Sequence, residues 1–113
     1  MMSLQSKLEP IGEMLAGIST NTYHYWRSAP KGVKAYIVWA EDEEATSLNG
    51  NNLKLEQGIH GTIDYFTKTE FDETVDKIQQ GLNELENVSF RLNSVQFEDD
   101  TLFIHHEWEF WVR

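Results

Sequence analysis

His105, Glu107 and Glu109 occupy alternate positions near the end of the chain, a His-x-Glu-x-Glu row that could in principle ligate a metal ion. On an extended strand, however, alternate residues stand roughly 6.6 Å apart, too far to share one small ion without help from a neighbouring strand. The spacing therefore favours a solvated sheet face over a metal site. His106 has the opposite parity and joins the apolar set, which predicts a hydrogen-bonded histidine in the core or at an interface. His24 and His60 fall on other segments and have no chemical partner close in sequence.

Ser, His and Asp all occur, but no Gly-x-Ser-x-Gly elbow surrounds a serine, and the glycines are too scattered to cradle a phosphate. Asp42-Glu43-Glu44 lacks the alternating acids and the glycine of a calcium loop. Glu84 and Glu86 read as solvation of a helix end. No pattern points to catalysis, and the expectation is a protein without cofactor or metal.

The composition narrows the classes further. The chain has 113 residues, 40% of them hydrophobic and 12% aromatic, enough for one packed domain spanning 1–113. It has no cysteine, which excludes disulfides, thiolate metal sites and a cysteine nucleophile. A formal charge of -10 argues against binding nucleic-acid phosphate, which needs clustered Lys and Arg. No stretch is apolar for the roughly 20 residues a membrane helix needs. Lys7, Glu9 and Glu13 interrupt the N-terminal segment, so it does not read as a signal peptide.

Two segments have helical periodicity. Leu4, Leu8, Ile11, Leu15 and Ile18 form a stripe at steps of three and four. Pro10 lies inside it and predicts either a helix that starts near Glu9 or a kink. Phe71, Val75, Ile78, Leu82 and Leu85 form a second stripe, with Thr67 or Thr69 as candidate caps.

The remainder has strand character. Thr22 to Arg27 is aromatic and β-branched, and Val33 to Ala40 is apolar on both faces. Leu53, Leu55, Ile59, Ile63 and Tyr65 share one parity, against Lys54, Glu56, His60, Thr62 and Asp64 on the other. Gly58 and Gly61 suggest a bulge or close approach by another group. Val88 to Phe97 and Leu102 to Val112 make a closing hairpin around Glu98-Asp99-Asp100, with a change of parity that predicts a bulge near Asn93-Ser94. The acidic stretch at 41–52, with its Asn49-Gly50 turn signal, predicts a mobile loop. The sum is an α+β domain, two helices on a mostly antiparallel sheet of about five strands, in the order α-β-β-β-α-β-β.

Aromatics supply the candidate contact residues. Trp108 and Trp111 have opposite parity, so one must leave the main core face. Trp111, with Phe103 on the same parity, is the candidate either for a partner surface or for a second covered sheet face. Glu41, Asp42, Glu43, Glu44 and Leu48 of the acidic stretch join them as a segment that would order against a neighbouring subunit.

Four segments carry a resemblance: Ala35-Tyr36-Ile37-Val38-Trp39-Ala40-Glu41, Gly61-Thr62-Ile63-Asp64-Tyr65-Phe66-Thr67-Lys68-Thr69-Glu70, Arg91-Leu92-Asn93-Ser94-Val95-Gln96-Phe97-Glu98 and Ile104-His105-His106-Glu107-Trp108. With them the chain resembles a family of small phage and prophage proteins of Gram-positive bacteria, encoded in the head–tail morphogenesis region. The order of elements is similar to that of tail-terminator proteins, which assemble as rings, commonly hexamers. The resemblance implies a non-enzymatic subunit that completes the tail or joins it to the head. Its expected partners are further copies of itself, the tail tube and the head connector. It would assemble in the host bacterial cytoplasm and end in the head–tail region of the virion. Acidic walls would suit a DNA conduit, since phosphate slides past without sticking and no sequence-specific nucleic-acid contact is needed.

Two other classes compete with this reading. An acidic inhibitor that mimics DNA needs carboxylates spaced along one surface. Here they concentrate at 41–44, at the start of the second helix and at 98–100. A small-ligand or enzymatic module would centre on His105, Glu107 and Glu109.

Overall fold

In the computed structural model, residues 3–25, 30–50 and 53–113 are described, and side chains are described outside 46–56. Two helices pack on one face of a five-stranded sheet, and the elements follow in the expected order. Helix α1 spans Leu4–Ile18, strand β1 Thr22–His24, β2 Ala35–Gly50 and β3 Leu53–Thr67. Helix α2 spans Glu73–Glu84, β4 Val88–Phe97 and β5 Ile104–Val112. The sheet order is β1-β2-β3-β5-β4, antiparallel except where β1 runs parallel to β2.

Ser3 caps α1 by accepting a hydrogen bond from the Ser6 amide. The helix begins at Leu4 and continues through Pro10, so it does not start near Glu9. Pro10 faces solvent, and burial of Leu8, Ile11 and Leu15 beneath the helix outweighs its missing hydrogen bond. Helix α2 is capped by Asp72, not by Thr67 or Thr69. Phe71 consequently falls outside the stripe. It precedes the cap with φ of 53° and is fully exposed.

The odd positions of β3 face the helices as the alternation predicts. Ile59, Ile63 and Tyr65 join Ile37, Trp39, Trp108, Phe110 and Val112, and α1 and α2 cover them with Leu8, Ile11, Leu15, Ile78 and Leu82. Gly61 is required at its place in this face. A methyl group there would overlap both the Phe110 ring and the Ala40 carbonyl, and the latter cannot move aside.

Three further expectations change. Strand β1 ends at His24, and Trp26 and Arg27 lie outside the described residues. The stretch 41–50 is the distal half of β2, not a loop; 51–52 lie outside the described residues. It pairs with β3 as far as Gly50↔Leu53, through register shifts at Glu41/Glu43 and Ala45/Leu48. This polar segment has no alternation to announce a strand, and its backbone ladder to β3 extends it. Beyond β1 and β5 the two strands continue as a ribbon, and the molecule measures 52 × 25 × 23 Å. Finally, Phe103 is only 6% exposed and belongs to a second apolar cluster with Tyr36, Val38 and Phe66, on the face that carries no helix. The bulge in β4 falls between Leu92 and Ser94, as the parity change predicts.

Candidate functional site

The helix-free face is where the polar chemistry collects. Register puts β5 between β3 and β4, so Asp64 stands opposite Glu107, Thr62 opposite Glu109 and His60 opposite Trp111. His105, Glu107 and Glu109 do share this face, and each meets a partner from a neighbouring strand. His105 Nε2 lies 2.6 Å from Asp64 Oδ1, and the ring stacks on Phe66 at 4.2 Å between centroids. Glu107 accepts from Asn93 at 3.1 Å. Glu109 accepts from Arg91 at 2.7 Å and pairs with His60 Nε2 at 3.2 Å.

These contacts set the protonation of the row. The hydrogen bond to Asp64 raises the pKa of His105 above the ordinary histidine value, against opposition from burial. For His60 burial again opposes the charge, but Asp42 and Glu109 together prevail and raise its pKa. The Arg91 guanidinium, with His60, lowers the pKa of Glu109. The result is a lattice of alternating charges rather than a row of free ligands.

Asp42, Glu43 and His60 form the one metal-compatible group among the described residues, with ligand atoms within 4.8 Å of one another. The bulge at Glu41/Glu43 makes this possible, because an extra residue brings adjacent carboxylates near one partner. His60 Nδ1 is already paired with Asp42 at 2.6 Å, so the group is satisfied as an ion pair. Sequence reasoning missed it, since the residues lie 18 positions apart and meet only through the register.

His106 departs from expectation in one respect. It faces the core beside Tyr65 and Trp108, yet its buried Nδ1 has no hydrogen-bond partner among the described residues. Burial lowers its pKa, so the neutral ring is favoured.

The candidate contact residues divide. Trp111 is on the helix-free face, half-buried and edge-on to His60. Phe103 is buried and offers no surface. Glu41 is held by His24 and Tyr25, Asp42 by His60, while Glu43 and Glu44 are exposed on the root of the ribbon. The side chain of Leu48 lies outside the described ones. Sequence reasoning overlooked the exposed apolar residues of edge strand β4 and its turn: Leu92, Val95, Phe97 and Leu102, the last three more than half exposed. The bulge between Leu92 and Ser94 returns Val95 and Phe97, opposite His106 and Ile104, to the face of Val88 and Phe90, but there both remain exposed.

No protein-family model matches the chain, and no curated protein matches it. Among solved structures, a chain from the virion of a native gene transfer agent (GTA) particle has the same fold, with a TM-score of 0.58 at 12% sequence identity. The match covers 98% of this chain and 93% of that one. No helix among the described residues is long and apolar enough to cross a membrane.

Proposed function

We propose that this chain is a non-enzymatic structural subunit of a phage or prophage particle that acts in tail completion or head–tail joining and assembles as a ring. The observation that carries this reading is the end-to-end likeness to a GTA virion chain, because both chains are almost wholly accounted for by the shared domain. It agrees with the resemblance of the sequence to head–tail morphogenesis proteins. Assembly takes place in the host bacterial cytoplasm, and the product remains at the head–tail region of the virion.

The surface suits such a subunit. A ring needs two different patches on each copy that meet head to tail. Strand β4 offers an unpaired edge with Val95 and Phe97, and the β2–β3 ribbon offers a second, separate projection. Exposed apolar side chains on an unpaired edge are an aggregation hazard unless a partner covers them. Tail-tube and connector proteins are the further partners. A DNA-mimic role fits less well, because Asp42, Asp64 and Glu109 are each neutralised by a histidine or arginine.

The test is a Val95→Lys, Phe97→Lys double variant. Both positions are exposed, so thermal stability should hold within about 0.5 kcal/mol. Ring formation and attachment to purified tails, followed by sedimentation and electron microscopy, should be lost. Unchanged assembly would remove β4 from the interface.

A further inference from the structure

A cleft of about 550 Å³ runs between α1 and the β1–β2 edge, on the opposite side of the sheet from the paired charges, and is open to solvent. Its wall is a stack of three rings: His24 lies 4.1 Å from Tyr25 and 4.0 Å from Trp39 between centroids, at interplanar angles of 15° and 11°. Glu41 locks the stack, since one oxygen pairs with His24 Nε2 at 2.7 Å and the other accepts from the Tyr25 hydroxyl at 2.9 Å. Tyr25 adopts φ of 73°, a conformation that bulky residues avoid, and this turns its ring onto the stack.

The opposite wall is acidic. Glu9 and Glu13 of α1 line the cleft one helical turn apart. Like charges at that spacing repel. Neither carboxylate has a hydrogen bond or ion pair among the described residues, and no described Lys or Arg lines the cleft. Between them Gly12 lets α1 rest against Trp39 at the floor of the cleft, because a methyl group there would stand 2.8 Å from the ring. The exposed Tyr25 ring on one side and two carboxylates without a partner among the described residues on the other are complementary to a flat cation.

We infer that this cleft binds an arginine side chain presented by a partner protein. A guanidinium group is planar, stacks on aromatic faces and is less strongly hydrated than an ammonium, so this cleft should prefer it to lysine. Its N–H groups can donate to Glu9 and Glu13 while its face rests on Tyr25, the exposed outer ring of the stack. The inference stands apart from the assembly role, since it concerns one site on the isolated chain.

The test is a ¹⁵N–¹H NMR titration of the full chain with the peptide Ac-Gly-Arg-Gly-NH₂ and with its citrulline and lysine counterparts. Arginine should give saturable shifts centred on the amides of Gly12 and Tyr25 and the indole N–H of Trp39. Citrulline, which keeps the shape and loses the charge, should bind at least ten-fold more weakly. A Glu9→Gln, Glu13→Gln double variant should lose arginine binding at least ten-fold, with a thermal midpoint equal to the parent or higher because the repulsion is gone. Shifts that are absent, that scatter over the surface, or that are equal for arginine and citrulline would overturn the inference. Lysine binding as tight as arginine would overturn the guanidinium assignment.

Discussion

Asp72 holds three groups at once. Its carboxylate caps α2 through the Thr74 amide and accepts from the Tyr65 and Thr67 hydroxyls at 2.5 and 2.6 Å. Thr67 is wholly buried, so its hydroxyl has no water to fall back on. Asp72→Ala should cost about 2–3 kcal/mol in urea unfolding, the sum of a lost cap and a stranded buried hydroxyl. Asp72→Asn, which can still cap, should cost less. The charged face makes a second prediction. His60 and His105 have raised pKa values, so their contribution is full below the ordinary value near 6.5 and is lost as pH rises through the elevated values. His106, lowered by burial, works in the opposite sense and loses stability on acidification. Thermal midpoints should therefore fall as pH rises above about 6.5, and His60→Gln, His105→Gln should flatten that decline, by on the order of 1 kcal/mol or less. The His-x-Glu-x-Glu row was legible from spacing as a polar face. Its partners were not, because cross-strand register depends on β3 and β5 meeting 41 residues apart, as His105 and Asp64 do.

At the scale of elements, the β2–β3 ribbon is the feature that sequence pattern served least well. Alternation detects a strand only where one face is buried, and 41–50 has almost nothing to bury. Where β2 crosses the core, both faces are apolar and the strand is plain: Ile37 and Trp39 lie under the helices, Tyr36 and Val38 in the second cluster. Parity placed Phe103 off the main core face but could not decide between a partner surface and a second covered face, and Phe103 joins the second cluster. Lys7 ties α1 to the root of the ribbon by donating to the Gln57 carbonyl, and Ile59 is the first β3 residue in the main cluster. Replacing residues 46–56 with a short Asn-Gly turn should therefore shift the melting temperature by no more than about 5 °C in calorimetry. The same change should abolish attachment to the tail or connector, measured by co-sedimentation, if the ribbon is a contact arm. Retained attachment would assign that contact elsewhere.

For the whole molecule, periodicity and parity were enough to give the order of elements, the two amphipathic helices and the antiparallel closing hairpin. The net charge gave no location. In the fold, part of it becomes a paired lattice on the helix-free face, while Glu9, Glu13 and Glu41 line the cleft on the helical side. The central claim concerns assembly and is best tested by mass. Sedimentation velocity and native mass spectrometry of the purified chain, alone and with purified tail tubes, would measure it directly. The account predicts a closed ring of one defined stoichiometry, formed alone at high concentration or on the tube end. A chain of 13.2 kDa that stays monomeric throughout and never joins the tails would contradict it.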